Sequence, residues 1–583
     1  MTALHPTAGA PAPQGGPDGP SDTGATHIAD VTHTADVTDI AAVADDDDVA
    51  AGRQPALGRV PFPAVDEIAR HCLADDEPET VHIEVHLPGR VAAARLRTAF
   101  HQALTLHPRI LMRQAPTRWW HRSYVWHLTD GPDRDPVVVP PPGPDALLRA
   151  RERALTDCPP LDCSPPVRLE ILGPADRDGG SILLLTLNHT ALDGPACLRV
   201  LATTAELYAE AGAGAGTAAV RGPVAGHGTV VPAGGPDAAQ PRRREDGRPG
   251  GATTGGQEGS RPGGATARFA RPARIAADHR SSGGDEGAGP DQGNGMLLTE
   301  LPVPARPPRT GGRAPYTVND QLLVATCLMV ARWNRLHGAR PAPVVVTMPM
   351  DDRPRGAEMP IGNGTRLVPV RFGPEERREA ALLTAGPPDP DAVARLLRRT
   401  AERTRALKAA PPGPPLGLAG TVLTAPVLPV GVRGAVTRAL RRTAAPWTTT
   451  TLLSNIGRLP YPLDFGDAGR PTAVWFSAPA RMPRGLTVTT VSVGGRIQLA
   501  LRWSRALLDE AAGARLATLF RTSLAATAWP GATAVLGPPP PPPSPPTPPP
   551  PPPSSPPPTA PTPPTSPPPT SPPPAPPAEG GTR

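Results

Sequence analysis

Lysine is almost absent from this 583-residue chain; Lys408 is a rare case. Aromatic residues make up 3% and charged residues 19%. So thin a supply of aromatic and charged groups excludes one continuous globule, and folded stretches must alternate with unfolded ones. No run of about 18 apolar residues occurs, so no transmembrane segment is expected. The five cysteines, Cys72, Cys158, Cys163, Cys197 and Cys327, are odd in number and form no C-x-x-C. Neither a zinc site nor a disulfide framework is expected, and no metal. Cys197 and Cys327 fall in apolar helical patterns and read as small core residues. Lys+Arg is 59 against 53 Asp+Glu, a net +6, but the basic clusters are short and scattered. That footprint does not suggest a nucleic-acid partner. The N-terminus has neither a basic n-region nor an apolar h-region, so the cytoplasm is the expected location.

What the chain has in plenty is proline, 88, and glycine, 60, together about a quarter of the residues. They are unevenly spread. Residues 1–58 form an Ala/Gly/Pro/Asp/Thr-rich tail, expected to be disordered. Residues 212–295 read as a disordered Gly/Pro/Arg-rich linker. Residues 536–583 form a Pro-rich tail of polyproline type, either an inert spacer or a ligand for a Pro-binding module. Two folded stretches remain, 59–211 and 296–535, each of ordinary domain size.

Both stretches mix strands and helices. In the first, Val81–Leu87 alternates as a half-buried strand does, and Leu96, Phe100 and Leu104 mark the buried stripe of a helix. The aromatic stretch Trp119, Trp120, Tyr124 and Trp126 is expected in strands. Ile182–Leu187 is a continuous apolar run suited to a central strand buried on both faces. In the second, Thr317-Val-Asn-Asp320 opens a helix with capping residues. Residues 344–347, 367–372 and 449–453 read as strands, and Gly494-Gly495 as the turn of a hairpin.

The chemistry points to the end of the Ile182–Leu187 strand. There the chain reads Asn188-His189-Thr190-Ala191-Leu192-Asp193-Gly194. A histidine on a loop held by a buried strand can face a cleft, and near neutral pH it can take a proton from a hydroxyl or amine. Gly194 is expected to adopt dihedrals other residues avoid.

Several stretches in order resemble the superfamily of condensation domains and chloramphenicol acetyltransferase-like acyltransferases. That group includes polyketide-associated and wax ester/diacylglycerol enzymes. The loop resembles its H-H-x-x-x-D-G hallmark. Leu96–Arg113, Cys158–Leu172, Tyr316–Ala325, Met348–Arg353 with Gly362-Asn363, and Ser454-Asn455-Ile456-Gly457 resemble its other segments. The resemblance implies an α/β (α+β) fold of two such lobes in a V, with a central tunnel entered by donor and acceptor from opposite faces. It implies His189 as the catalytic base and Asp193 as a structural carboxylate paired with Arg353. Gly194 would give the backbone room, and the helix N-terminus beside it would favour an oxyanion. Ser454, Asn455 and Asn363 would line the tunnel or the lobe interface. The departure is Asn188, where the hallmark has its first histidine.

The function so implied is amide or ester formation by attack of an amine or alcohol acceptor on an acyl thioester, in secondary metabolism. The donor would sit on an acyl or peptidyl carrier protein's phosphopantetheine. The alternatives are a coenzyme A-dependent O-acyltransferase of the wax ester/diacylglycerol type, and a catalytically silent scaffold. No tightly bound cofactor is implied, and one chain completes the tunnel, so a monomer is expected.

Overall fold

The computed structural model describes residues 56–73, 77–173, 179–218, 270–278, 293–309, 314–353, 359–373, 376, 389–410 and 417–530. Residues 1–55, most of 212–295 and the Pro-rich tail lie outside them, so the expectations placed there have no structural counterpart.

Two main mixed sheets carry the described fold, each with its own core. The first has five strands in the order β12-β2-β7-β6-β5. β2 is Thr80–His86, β6 Val167–Leu172 and β7 Ile182–Asn188, with the two-residue β5 at Val137–Val138. β7 is the central strand. Leu183, Leu185 and Leu187 face the larger core, where helices α2 (Ala93–Leu106) and α4 (Gly194–Ala218) pack. Leu184 points the other way, onto Ala146, Ala150 and Ala154 of α3 (Ala146–Thr156). A strand apolar on both sides needs a helix layer on each, and this is what the continuous apolar run reports.

The second sheet has six strands in the order β10-β9-β11-β13-β14-β8. They are β8 Asn294–Pro302, β9 Val344–Asp351, β10 Thr365–Phe372, β11 Thr451–Arg458, β13 Leu486–Val493 and β14 Arg496–Ser504. β11 runs parallel to both β9 and β13, and the other pairs are antiparallel. Helices α5 (Val318–Leu336), α6 (Pro390–Ala409) and α9 (Glu510–Ala526) fill its core. α5 starts on a capping box: the Thr317 hydroxyl accepts from the Asp320 N–H, and Asp320 accepts from the Thr317 N–H. Two donors that every helix start leaves open are thereby satisfied.

The division into consecutive halves needs correction. Strand β12 (Ala473–Ser477) lies far down the second stretch yet pairs with β2 and completes the first sheet. Alternation marks a strand but carries no information about which sheet it joins. Residues 270–278 also fall inside the expected linker. Ala273 and Ile275 are buried in the second core, and the Ala273 N–H donates to the Pro343 carbonyl. A single extended segment has no period to reveal it. Trp119 and Trp120 are not in a strand. They sit exposed in a turn ahead of β4 (Val125–Thr129), which with β1 (Ala56–Pro61) and β3 (Met112–Gln114) forms a small third sheet. Three further helices complete the described residues: α1 (Ala64–His71), α7 (Gly417–Thr424) and α8 (Val430–Ala444).

Candidate functional site

His189 leaves the end of β7 on a loop tied down from several sides. Its own N–H donates to the Glu79 carbonyl at 2.7 Å. Its ring Nδ1 lies 2.9 Å from the Leu192 carbonyl oxygen. A carbonyl can only accept, so Nδ1 carries the proton and Nε2 is left with its lone pair. The ring lines a cavity of about 790 Å³ between the two main sheets. The loop therefore commits Nδ1 to the backbone and leaves Nε2 as the other ring nitrogen.

Asp193 is buried, and both its oxygens are in use. Arg353, at the end of β9 in the opposite sheet, donates to them at 2.9 and 2.7 Å. The Ala196 N–H donates to Oδ1, and the Gly364 N–H and Thr365 hydroxyl donate to Oδ2. Arg353 is held in turn by Asp351 and by the Pro360 and Gly362 carbonyls. A carboxylate with this many donors is a joint between the sheets. Its Oδ1 also caps α4 by accepting from the Ala196 N–H, while the Cys197 N–H goes to the Asp193 backbone carbonyl and Pro195 has none. The expected oxyanion site at this helix start is thus largely occupied by the chain's own carboxylate.

Gly194 does not adopt a left-handed conformation; it is absent from the glycines with positive φ. Its hydrogen leaves an ordinary van der Waals gap to the cavity wall. A Cβ there would lie 3.4 Å from the Phe476 ring, inside the cavity wall.

Asn188 faces away from His189's cavity and lines a separate hollow with Gln114 and Cys158. Its amide donates to the Pro159 carbonyl at 2.9 Å, and its Oδ1 accepts from the Thr190 N–H at 3.0 Å. It shapes the turn from behind. Asn363 does the same from the opposite sheet, donating to the His189 and Thr190 carbonyls and to Asp66. Burial pushes the Asp66 carboxyl up to about 6, although Asn363 and Trp126 hydrogen-bond to it. Ser454 and Asn455 lie on β11 and both line the cavity. Asn455 donates to Asn319 and accepts from Thr490 and the Gly457 N–H, all within the second lobe's elements, so it does not bridge the sheets.

Met348, Met350, Met359, Leu367, Tyr461 and Phe476 make the wall largely apolar. Cations line the cavity at separated positions. β11 and β13 pair from Leu452↔Thr487 to Arg458↔Ser492. Arg484 precedes that pairing and Arg458 closes it, so about 20 Å of strand separates them. Both line the cavity, as do Arg481 and Lys408. Arg481 is spent on Glu79 and on the Cys72 carbonyl. The Arg484 guanidinium has no hydrogen bond or ion pair among the described residues, and burial holds it below the usual arginine range. Arg502, from β14, is buried, reaches Thr80 of β2 at 2.7 and 2.8 Å, and is pushed down to about 10 by burial. It is a second link between the sheets. No cluster of metal-ligating side chains occurs among the described residues.

No family model matches the chain. Two curated relatives are uncharacterized proteins of Mycobacterium tuberculosis, from strains CDC 1551 and H37Rv. Each is 26% identical over 457 residues, covering 76% of this chain and 94% of its own length. Among solved structures, the trichothecene 15-O-acetyltransferase of Fusarium sporotrichioides aligns with a TM-score of 0.49 at 10% identity, over 82% of this chain and 99% of its own. A starter condensation domain of rhizomide synthetase in complex with C8-CoA aligns at 0.48 and 14%, over 82% and 96%. The epimerization domain of tyrocidine synthetase B aligns at 0.45 and 14%, over 81% and 97%.

Proposed function

We propose that this protein is an acyltransferase of the condensation-domain and chloramphenicol acetyltransferase-like superfamily. It joins an acyl thioester to an amine or alcohol. The observation that carries this reading is the His189 ring: Nδ1–H is bound to the Leu192 carbonyl, and the ring opens on a cavity walled by both sheets. Nε2 takes the proton from the acceptor's O–H or N–H as that atom attacks the thioester carbonyl carbon. The tetrahedral adduct then expels the sulfur, which takes the proton from Nε2–H. An ester or amide and a free thiol result, and the histidine returns neutral.

The cavity suits such a pair of substrates. Its volume is within the range of small-molecule sites, and its methionine-rich wall adapts to a flexible acyl chain. Arg458 and Lys408, which both line the cavity, suit the phosphate that phosphopantetheine and coenzyme A share. The acceptor then enters from the Arg484 end. Whether the donor is carried by a protein or by coenzyme A is open to the same chemistry.

The test is mass-spectrometric detection of transfer and thiol release. Acyl-CoA and acyl-carrier donors are offered with mixed amine and alcohol acceptors, to wild type and His189→Ala. Transfer by wild type and its loss in the variant support the reading, and the donor that works identifies the branch. Equal behaviour of both proteins with a donor that binds would move the silent scaffold to the front.

A further inference from the structure

Helix α8 is built inside out. Its buried residues are Val430, Arg433, Gly434 and Thr437, one turn apart on one face. That face carries a buried ion pair, Arg433 to Glu67 at 2.8 Å, and brings Gly434 against His71. The outward face carries Val432, Val436 and Leu440, each 40–47% exposed. A surface helix ordinarily turns its apolar stripe to the core. Here the stripe faces out.

The stripe is not isolated. The Gly431 and Val430 N–H groups donate to the Trp119 and His121 carbonyls, which seats the Trp119–Trp120 turn beside the start of α8. Both indoles are at least half exposed, and Trp120 meets Trp119 edge to face. Val427 and Leu428 are exposed just before the helix, and Trp447 just after it. Apolar and indole groups thus run along the whole helix. Scattered exposed apolar side chains need no explanation, but a contiguous band does.

Charge decides what covers the band. There is no Asp or Glu between Glu402 and Asp464, nor between Glu84 and Asp130, the stretches that hold α8 and the Trp119–Trp120 turn; of the described carboxylates on the segment packed beneath α8, Glu67 is engaged by Arg433 and Glu77 by the Met482 N–H. Arg118, Arg122, Arg438 and Arg442 are exposed on it. A second copy of the same face would bring cation against cation. An apolar ridge flanked by indoles and arginines, without carboxylates, matches the headgroup region of an anionic bilayer.

We propose that α8 and the Trp119–Trp120 turn dock this protein on the surface of an anionic membrane. The face adjoins one end of the cavity. Arg441 of α8 donates to the Met482 carbonyl, two residues before the unpaired Arg484. On the acyl-transfer reading, and only on it, a lipid-borne acceptor would pass from the bilayer into that end. Docking itself does not depend on that reading.

The experiment is co-sedimentation of the full chain with large vesicles, of phosphatidylcholine alone or with about a third phosphatidylglycerol. Wild type should pellet with the anionic vesicles and weaken at least tenfold when salt rises from 50 to about 500 mM. Trp120→Ser with Leu440→Glu, and separately Arg438→Glu with Arg442→Glu, should each lose at least tenfold in vesicle affinity while circular dichroism and melting temperature hold. Leu148→Glu, an exposed apolar position on α3, should bind as wild type. His189→Ala should also bind as wild type, which separates docking from catalysis. Failure of wild type to pellet, or unchanged binding by both double variants, overturns the proposal. So does capture of an acidic carrier protein, or a salt-stable dimer, that Leu440→Glu abolishes without any vesicle binding.

Discussion

The Arg353 guanidinium donates to both carboxylate oxygens of Asp193 from the opposite sheet, across 160 residues of sequence. This contact, more than the histidine, fixes the distance between the two walls of the cavity. Arg353→Met would leave a buried carboxylate with its remaining donors from Ala196, Gly364 and Thr365 but no compensating cation. Removing one partner of such a pair costs about 3–5 kcal/mol. Denaturant unfolding should show that loss. The double variant Asp193→Asn/Arg353→Met should recover part of it, because it removes the orphaned charge. A double variant no more stable than Arg353→Met would assign the cost to packing of the arginine stem instead.

His189→Ala should leave the fold intact, because the residue's structural contact is made by its backbone N–H to Glu79 and its ring is only partly buried. The expected loss in kcat is about a hundredfold to ten-thousandfold with little change in melting temperature. Asn188→Ala should do the reverse. It deletes two buried hydrogen bonds behind the loop, to Pro159 and Thr190, and should cost about 1–3 kcal/mol. Its activity well below the melting temperature should stay far above that of His189→Ala. Parallel melting curves and single-turnover rates distinguish the two roles, and similar kcat losses in both variants would place Asn188 in the reaction itself.

What could be read from sequence was local. The strand, turn and helix around His189 follow from an apolar run, a short polar loop and Pro195 in the first helical turn. The capping box at Thr317 and Asp320 was equally plain. Arg353 as the partner of Asp193 came from resemblance, because no spacing rule links residues so far apart. Gly194 was assigned a special backbone conformation, whereas the structure gives it a close neighbour, Phe476. Asp66, Glu79, Arg484 and Arg502 gave no signal, since each acquires its meaning from an element distant in the chain. Strand β12 joined the first sheet for the same reason. Helix α8 shows another limit: only its packing partners reveal that its apolar side faces out.

The cations that line the cavity should be distinguishable in kinetics. Arg458→Ala with Lys408→Ala should raise the donor KM about five- to tenfold with kcat held, since a phosphate contact remote from the reacting carbonyl is made equally in ground and transition states. A pantetheine thioester lacking the phosphate should not sense the substitution. An equal penalty on both donors would mean that these side chains shape the wall and do not bind the phosphate.

Two buried groups should pull the pH dependence of stability in opposite senses, while the Glu84 carboxyl, held down to about 2 by Arg151 and His86 against its burial, adds to the acid loss at lower pH. Burial, with Arg502 and Arg151 acting the same way, holds the His82 imidazole down to about 3, against the pull of Glu84. Both of its ring nitrogens lack a partner. Native His82 therefore stays neutral while the unfolded chain takes up a proton below about 6.5, so stability is full above that pH and falls as pH drops towards 3. The full effect is on the order of 4 kcal/mol. Asp66 runs the other way: with its carboxyl raised to about 6, the native state holds a proton that the unfolded chain has lost, so stability gains as pH falls from about 6 to 4. His82→Leu should flatten the acid decline of the melting temperature between pH 6.5 and 4, and Asp66→Asn should steepen it. Because the two windows overlap, wild type should lose less between pH 6 and 4 than between pH 4 and 3. A His82→Leu profile parallel to wild type would show that the imidazole is solvated or paired in solution.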